Sequence, residues 1–349
     1  MEYRLLGRTG LKVSSLSFGA MTFGGRGEFF SNVGTTDVAD ARRQLDMCLE
    51  AGINLVDTAD VYSQGLAEEI LGRALEGRRD RLLLATKLHF RIGDGPNEVG
   101  QSRHHVIHGV DVALRRLRTD HLDLLQVHGF DAMTDLEQSL RALDDLVRSG
   151  KVRYLGCSNY SAWQLMKSLA TSDRRGLERF SVLQAYYSLL GRDIEWELVP
   201  LCLDEGVGIL VWSPLAGGYL TGKFRPGHAG HGRRARRPDP PISHDGVADA
   251  VLDALDDLAQ RRGVSQAQVA LNWVRARPGV TSVIVGARTA DQLADNLQAA
   301  SWDLEAGERE ALGRASATPA PYPIWHQHLY NAERMRLDGA LAPSATAAT

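Results

Sequence analysis

Two kinds of apolar pattern alternate along most of this chain. Short, nearly continuous apolar runs, which are typical of buried strands, lie at residues 53–58, 81–88, 122–128, 152–158, 181–188, 207–213 and 281–287. Segments with apolar residues at helical spacing lie at residues 37–52, 66–76, 102–117, 136–150, 162–169, 194–206, 247–262, 266–277 and 291–299. Strands that alternate with helices in this way are typical of parallel βαβ units.

A further apolar run at residues 16–19 brings the number of predicted strands to eight. Before it, two extended runs are separated by Arg8-Thr9-Gly10, which predicts a hairpin. Because no break in composition divides the units, we predict an α/β fold, a single (β/α)8 TIM barrel over residues 1–316 with long loops on its C-terminal face. The alternative is an open doubly wound sheet, but the glycines between residues 19 and 27 lack the GxGxxG spacing typical of that fold.

Two segments lie outside this alternation. Residues 224–244 are rich in Gly, Pro and Arg, and we expect them to form a long mobile loop. Residues 317–349 form a C-terminal segment that ends in APSATAAT and is expected to be partly disordered. Within that segment, Tyr322 and Trp325 are expected to pack against the rest of the protein.

Charge and cysteine content exclude several classes of protein. The formal net charge is −3, which gives no general attraction to nucleic acid or to an anionic membrane. The run of Arg233, Arg234, Arg236 and Arg237 lacks interleaved aromatics, so we interpret it as solvated loop. Three cysteines without CxxC spacing, no signal-peptide pattern and no apolar run of about 18–20 residues predict a cytoplasmic protein without a membrane partner. No oligomeric state can be predicted.

Ionisable side chains end three consecutive predicted strands. Asp57, Lys87 and His128 end the second, third and fourth strands, and Tyr62 follows Asp57 in the next loop. The C-terminal strand ends of a barrel meet at one mouth, and burying an unpaired charge is costly, so these groups should satisfy one another. Each has an ordinary alternative: a capping aspartate, a solvated lysine, a core histidine or a packing tyrosine. Their joint occurrence in register favours a catalytic site.

The motifs around these residues resemble the aldo-keto reductase superfamily. They are DTADVY at 57–62, ATK at 85–87 and QVH at 126–128, and further similar motifs are LGRTG at 6–10, FGAM at 18–21, GCSN at 156–159 and WSPL at 212–215. The resemblance covers about residues 1–300. It is greatest to a bacterial branch related to aryl-alcohol dehydrogenases and potassium-channel β-subunits. It implies a barrel enzyme that reduces a carbonyl with NADPH, and a catalytic tetrad of Asp57, Tyr62, Lys87 and His128.

Physical chemistry supports that tetrad. Hydride addition to a carbonyl carbon leaves negative charge on the oxygen, which then needs a proton. Tyrosine, with an ordinary pKa of about 10, is a slow acid unless a cation stabilises its phenolate, and Lys87 would supply that cation. Asp57 would hold Lys87 charged and oriented, and His128 would orient the substrate oxygen. Schiff-base chemistry at Lys87 is an alternative, although it leaves Asp57 and Tyr62 without a clear role.

The resemblance also implies a cofactor cradle at the remaining strand ends. Ser158, Asn159 and Gln184 would hydrogen-bond the nicotinamide carboxamide, and Trp212 would stack on the nicotinamide ring. Arg288, at the start of the last predicted helix, suits a phosphate and favours NADPH over NADH. The other implied cofactor contacts are Gly19, Met21, Ser213, Leu215, Gly217, Gly218, Lys223, Gly286, Gln292, Asp295 and Asn296. We predict no metal, because the helix histidines at 104, 105 and 108 lack an HExxH arrangement.

Three functions remain open from the sequence. The first is reduction of an aldehyde or ketone, and the second is a cofactor-sensing regulatory or interaction protein with slow reductase activity. The third is a barrel lyase that uses Lys87. The substrate class is not determined, but the candidate wall residues are aromatic and predict an apolar pocket: Phe29, Phe30, Phe90, Trp163, Tyr187 and Trp325.

Overall fold

A closed barrel of eight parallel strands forms the centre of the structure, a computed structural model that describes residues 1–225 and 246–334. Each barrel strand pairs with the next along the chain, and the last pairs with the first. The strands are β3 (Leu16–Gly19), β4 (Leu55–Asp57), β5 (Leu83–Leu88), β6 (Leu122–Val127), β7 (Val152–Ser158), β8 (Phe180–Tyr186), β9 (Gly208–Trp212) and β10 (Val280–Val285). The predicted (β/α)8 barrel is confirmed.

Helices surround the barrel. In the described residues they are α1 (Val38–Glu50), α2 (Leu66–Ala74), α3 (Arg103–Leu117), α4 (Leu136–Arg148), α5 (Ala162–Arg175), α6 (Leu198–Glu205), α7 (Val247–Arg262), α8 (Gln266–Arg275), α9 (Ala290–Gln298), α10 (Ala306–Ala315) and α11 (Ile324–Tyr330). Several begin at a side chain that accepts a hydrogen bond from the first turn, such as Asp37 before α1 and Thr289 before α9. These caps satisfy backbone N–H groups that the helix cannot.

The predicted N-terminal hairpin covers the N-terminal end of the barrel. Its strands, β1 (Tyr3–Leu5) and β2 (Lys12–Ser14), are antiparallel. The Arg4 guanidinium donates to the carbonyl oxygens of Arg275 and Val280, at 2.7 and 2.8 Å. Gly7 has φ +58°, and a Cβ there would lie 2.7 Å from the carbonyl oxygen of Ser181, so the turn can approach the strands only with glycine.

The barrel interior is arranged in layers, and these layers position the site. Side chains alternate across a strand, so residues two apart lie on the same face. Leu6 and Val13 of the hairpin region form one buried cluster with interior residues of several strands, namely Leu55, Ala85, Leu124, Val182, Leu210 and Ile284. Two residues further along four of those strands stand polar side chains: Asp57, Lys87, Gln126 and Gln184. A polar layer therefore lies directly above an apolar layer.

Some predicted boundaries and contacts are wrong. Helix α5 continues six residues past its predicted end, and α6 is preceded by a separate turn of 3-10 helix at Asp193–Glu195. Helices α10 and α11 were not predicted, because segments of ten and seven residues carry little helical periodicity. Tyr322 and Trp325 do not pack on the core: they contact each other and are 75% and 46% exposed.

Other predictions fall largely outside the described residues. The arginine run and most of the 224–244 loop lie there, as do residues 335–349. The division of the chain at residue 316 stays a prediction.

Candidate active site

The four predicted tetrad residues meet at the C-terminal mouth of the barrel. Asp57 is the last residue of β4, Lys87 lies in β5, His128 follows β6, and Tyr62 starts the turn Tyr62–Gly65. Lys87 Nζ donates to Asp57 Oδ2 at 2.5 Å and to Tyr62 Oη at 3.4 Å. Its third hydrogen bond is to the carbonyl oxygen of Thr58, at 2.9 Å. An ammonium has three donors, and all three of Lys87 are used.

Lys87 is charged despite complete burial. Burial alone disfavours the cation, but the attraction of Asp57 and then of Tyr62 outweighs it and raises the pKa of Lys87 above its ordinary value. Asp57 is itself almost fully buried, so little solvent weakens this attraction. The positive charge beside the Tyr62 oxygen is therefore present throughout the neutral pH range.

A strained turn holds Tyr62 in place. The next two residues, Ser63 and Gln64, have left-handed backbones with φ of 49° and 54°, which side-chain-bearing residues seldom adopt. Ser63 Oγ donates to the carbonyl oxygen of Phe23 at 2.8 Å and accepts from the backbone N–H of Gly25 at 3.0 Å. These bonds fasten the turn to the loop after β3. Strain of this kind persists only where surrounding contacts enforce it.

His128 is a neutral imidazole at pH 7. Burial, followed by the charges of Lys87 and His89, lowers its pKa well below the ordinary value. Its ring centroid lies 6.0 Å from that of Tyr62 and 4.7 Å from that of Phe90. A neutral ring here can hydrogen-bond a ligand oxygen but has no extra proton to give.

A cleft of about 1020 Å³ opens above the tetrad. Asp57, Tyr62 and His128 line it, whereas Lys87 lies beneath its floor. All the predicted cofactor contacts also line it: Gly19, Met21, Ser158, Asn159, Gln184, Trp212, Ser213, Leu215, Gly217, Gly218, Lys223, Gly286, Arg288, Gln292, Asp295 and Asn296. The structure thus brings together residues from positions 19 to 296 of the chain.

The substrate walls were predicted less well. Phe29, Phe30 and Phe90 line the cleft. Trp163, Tyr187 and Trp325 are not among its lining residues in the described part of the chain, and that prediction is wrong. Trp163 is 60% exposed and packs on Phe130. Tyr187 is buried elsewhere, where its hydroxyl bonds Glu195.

The predicted carboxamide contacts differ in their availability to a ligand. Ser158 Oγ is buried and has no hydrogen-bond partner among the described residues. Asn159 Nδ2 donates to the carbonyl oxygen of His128 at 3.0 Å, and its Oδ1 accepts from Trp212 Nε1 at 3.1 Å. Gln184 Nε2 donates to Asp57 Oδ1 at 2.9 Å. An orphaned hydroxyl beside the floor of the cleft is what a polar nicotinamide group would satisfy.

Two cations, Lys223 and Arg288, also line the cleft. Burial and then the nearby charge of Arg288 lower the pKa of Lys223. Arg288 stands before α9, whose N-terminal cap is Thr289. Like charges brought close together beside a helix N-terminus suit an anion such as a phosphate. Asp295 also lines the cleft, but its carboxylate already accepts a hydrogen bond from Ser265 Oγ at 2.7 Å.

One polar residue of the floor was missed. Gln126 Nε2 donates to Asp57 Oδ1 at 3.0 Å, yet this residue was treated only as part of the QVH motif. The signal was available in the alternation of β6, because Gln126 stands two residues from interior Leu124. The cleft residues Ser265 and Gln266 were also missed, since their helix begins far from any strand end in sequence.

Comparison with known proteins decides the family. The sequence profile described as "Aldo/keto reductase family" matches residues 15–315. The chain belongs to the aldo/keto reductase family. The resemblance stated from its motifs is confirmed, and this family membership makes the protein an oxidoreductase.

Several relatives match most of this chain. "Uncharacterized oxidoreductase YrpG" of Bacillus subtilis (strain 168) is 40% identical over 316 residues, 87% of this chain and 93% of the relative. "Probable voltage-gated potassium channel subunit beta" of Arabidopsis thaliana is 38% identical, over 86% of this chain and 91% of the relative. "Versiconal hemiacetal acetate reductase" of Aspergillus parasiticus is 34% identical, over 93% and 99%. Aryl-alcohol dehydrogenase-like proteins are also similar.

Neither a metal centre nor a membrane span was found in the described residues. No three of their histidine, cysteine, aspartate and glutamate side chains are grouped so that they could hold a metal ion. None of the helices in residues 1–225 and 246–334 is both long and apolar enough to cross a bilayer.

Proposed function

We propose that this protein reduces an aldehyde or ketone to an alcohol with NADPH, and that Tyr62 donates the proton. The observation that carries the proposal is the buried Lys87 ammonium, which donates to Tyr62 Oη at 3.4 Å at the base of the cleft. A cation in this position stabilises a phenolate and so makes the phenol a stronger acid. Proton donation by Tyr62 would use this effect.

NADPH, when bound, supplies the hydride that forms the new C–H bond. The electron pair of the carbonyl double bond moves onto oxygen, which takes the proton of Tyr62. The phenolate that remains is stabilised by Lys87, whose charge Asp57 balances at 2.5 Å, and water restores its proton. Neutral His128 orients the carbonyl oxygen. Because its pKa is lowered, it is not the acid at neutral pH.

The choice of NADPH rests on Lys223 and Arg288. Both line the cleft, and their mutual repulsion contributes to the lowered pKa of Lys223. A 2′-phosphate carries up to two negative charges and would relieve that repulsion. NADH lacks the 2′-phosphate and so offers neither cation this counterion.

The aromatic wall supports a flat, apolar carbonyl substrate such as an aryl aldehyde. Phe30 packs on Tyr62 with ring centroids 5.9 Å apart, and Phe90 lies against His128. An aromatic substrate would gain ring contacts on both sides of the reacting oxygen. A cytoplasmic location is also proposed, because Cys48, Cys157 and Cys202 are all unpaired and buried.

A lyase using Lys87 is not supported. Schiff-base formation needs a neutral amine that a substrate carbonyl can reach. The Lys87 side chain is completely buried, its pKa is raised, and its three hydrogens are all donated. A cofactor-sensing role is the second candidate, favoured by the similarity to a protein named as a potassium channel subunit. The intact tetrad favours the reductase.

Measuring NADPH oxidation against a carbonyl panel tests the proposal. The panel should include aryl aldehydes, aliphatic ketones and sugar aldehydes, with Tyr62→Phe as the matched variant. We expect turnover of at least one aryl aldehyde that is lost in Tyr62→Phe. Tight NADPH binding without turnover of any carbonyl would favour the sensing role instead.

A further inference from the structure

The floor of the cleft contains a closed triangle of hydrogen bonds. Gln126 Nε2 and Gln184 Nε2 both donate to Asp57 Oδ1, at 3.0 and 2.9 Å, and Gln184 Nε2 also donates to Gln126 Oε1 at 3.1 Å. All three residues are nearly or fully buried. The other oxygen of Asp57, Oδ2, accepts a hydrogen bond from Lys87 Nζ.

Only one orientation of the two amides satisfies this triangle. A carboxylate accepts hydrogen bonds but cannot donate them, so both glutamines must turn their nitrogen towards Asp57. The oxygen of Gln126 then faces Gln184 and accepts a hydrogen bond from the second hydrogen of the Gln184 NH2 group. Reversing either amide would set oxygen against oxygen in a buried site, which is costly.

The triangle therefore determines which end of Gln184 a ligand meets. Both hydrogens of its NH2 group are donated within the floor, and Gln184 also lines the cleft. Its carbonyl oxygen is the end left for a bound molecule. Ser158, which pairs with Gln184 in register between β7 and β8, adds a buried hydroxyl without a partner among the described residues. The cleft thus offers an acceptor beside a donor.

Packing keeps Gln126 in this position. A Cβ on Gly156 would lie 3.0 Å from Cγ of Gln126 and 2.5 Å from Cγ1 of Val182. The barrel interior is thus filled up to the stem of the Gln126 side chain, and it needs glycine on the neighbouring strand. A glutamine packed this closely has little freedom to change rotamer.

We propose that Gln126 is a positioning residue for the cofactor. It orients Gln184 so that the Gln184 carbonyl accepts the N–H2 of a nicotinamide carboxamide, while Ser158 Oγ donates to the carboxamide oxygen. Gln126 itself does not line the cleft formed by the described residues, and it acts only through Gln184 and Asp57. The inference rests on the proposed function, because it requires a nicotinamide above the floor.

A cofactor analogue isolates this contact. In the 3-acetylpyridine analogue of NADP+, an acetyl group replaces the carboxamide, so the oxygen is kept and the N–H2 is lost. Dissociation constants of both dinucleotides would be measured by quenching of tryptophan fluorescence. We expect the wild type to prefer NADP+ by about 2- to 12-fold, the range for one neutral hydrogen bond. Gln126→Met should bring that ratio close to one.

A matched variant separates positioning from a general loss of buried polarity. Gln44 is also a buried glutamine, but it lies in α1 and outside the cleft, and its Oε1 has no partner among the described residues. Gln44→Met should keep the wild-type ratio. If Gln126→Met does not fold, Gln126→Asn carries the same expectation, because its shorter amide cannot reach both partners.

The outcomes distinguish the inference from the proposed function. A folded Gln126 variant that keeps the wild-type preference for the carboxamide would overturn the inference alone, as would a wild type that binds both dinucleotides equally. A wild type that binds neither dinucleotide would overturn the proposed function and the inference with it. Loss of the preference in the Gln126 variant, but not in Gln44→Met, would support both.

Discussion

Lys87 Nζ lies 3.4 Å from Tyr62 Oη, and the ammonium is the donor in this contact. A protonated amine has no lone pair, so it cannot accept the hydrogen of the phenol. The contact therefore favours the phenolate electrostatically without using the proton that the proposed reaction needs. Asp57 completes the arrangement by balancing the lysine charge in a buried site, where an uncompensated charge would be costly.

Tyr62→Phe tests the proton donor. The substitution removes one hydroxyl and keeps the ring that packs against Phe30. We expect kcat for an aryl aldehyde to fall by about 10² or more, since general-acid catalysis typically contributes 10²–10⁴, while the dissociation constant of NADPH stays near the wild-type value. Stopped-flow turnover and fluorescence titration would measure the two quantities. Near wild-type turnover in this variant would refute the assignment.

Lys87→Met tests the buried ion pair. It leaves Asp57 as an uncompensated buried charge, and breaking such a pair costs about 3–5 kcal/mol of unfolding free energy. The double variant Asp57→Asn/Lys87→Met should lose less unfolding free energy than the two single variants lose together, as measured by urea unfolding. Arg261→Met, which breaks an exposed pair with Asp257, is the control and should cost less than about 1 kcal/mol.

The same variant tests the electrostatic role of Lys87 in catalysis. We expect folded Lys87→Met to be nearly inactive, and Lys87→Arg not to restore turnover, because a planar guanidinium does not fit a completely buried site shaped for an ammonium. Carbonyl reduction would be followed under conditions where circular dichroism reports a folded barrel. A folded Lys87→Met with wild-type turnover would contradict this role.

Arg288→Ala tests the choice of cofactor. Hydrogen bonds to charged groups are worth about 1.5–3 kcal/mol, so the NADPH dissociation constant should rise by roughly 10- to 150-fold while that for NADH hardly changes. The preference of the wild type for NADPH over NADH should also decrease with added salt. Titrations followed by tryptophan fluorescence, with Trp212 as the expected reporter, measure both. Arg314→Ala, in exposed α10, is the control. If the wild type bound NADPH and NADH with equal affinity, the proposed role of Arg288 in cofactor binding would be refuted.

His128 makes the stability of the fold depend on pH. Its pKa in the folded protein is lowered from the ordinary 6.5, so below about pH 6.5 the unfolded chain binds a proton that the folded chain does not. The free energy of unfolding should be highest above that pH. It should decrease as the pH falls towards the folded-state pKa, by at most about 1.4 kcal/mol per pH unit for one proton.

Urea unfolding of His128→Gln at several pH values checks this dependence. In this variant the free energy of unfolding should decrease less steeply as the pH falls. Some decrease should remain, because burial also lowers the pKa of His89 and of His105. His326→Gln, at an exposed position of α11, is the control. An unchanged slope in His128→Gln would mean that other groups produce the acid sensitivity.

Phe90→Ala tests the aromatic wall. Ring contacts are worth about 0.5–1.5 kcal/mol, so kcat/KM for an aryl aldehyde should fall by about 2- to 12-fold, while a small aliphatic aldehyde loses little. Trp163→Ala is the matched control, because Trp163 is another exposed aromatic, in the first turn of α5, but does not line the cleft formed by the described residues. An equal loss for both aldehydes in Phe90→Ala would indicate a general disturbance of the site.

The amino-acid sequence by itself determined the barrel and the place in it of the four residues proposed as a tetrad. Short, nearly continuous apolar runs that alternate with segments of helical spacing predicted parallel strands, and a parallel barrel brings every C-terminal strand end to one mouth. Asp57, Lys87 and His128 were therefore found from their places at strand ends alone. Motif resemblance extended this to the predicted cofactor contacts, all of which line one cleft.

Only the tertiary structure decided which neighbouring side chains actually meet. Gln126 and Gln184 are 58 positions apart in the chain, and their shared contact with Asp57 depends on the registers of nonadjacent strands around a closed barrel. The same limit explains the wrong wall residues: the direction of Trp163 and Tyr187 depends on how loops and helices pack, which periodicity does not encode. Local pattern determines secondary structure, whereas the closure of the barrel determines the partners of each polar side chain.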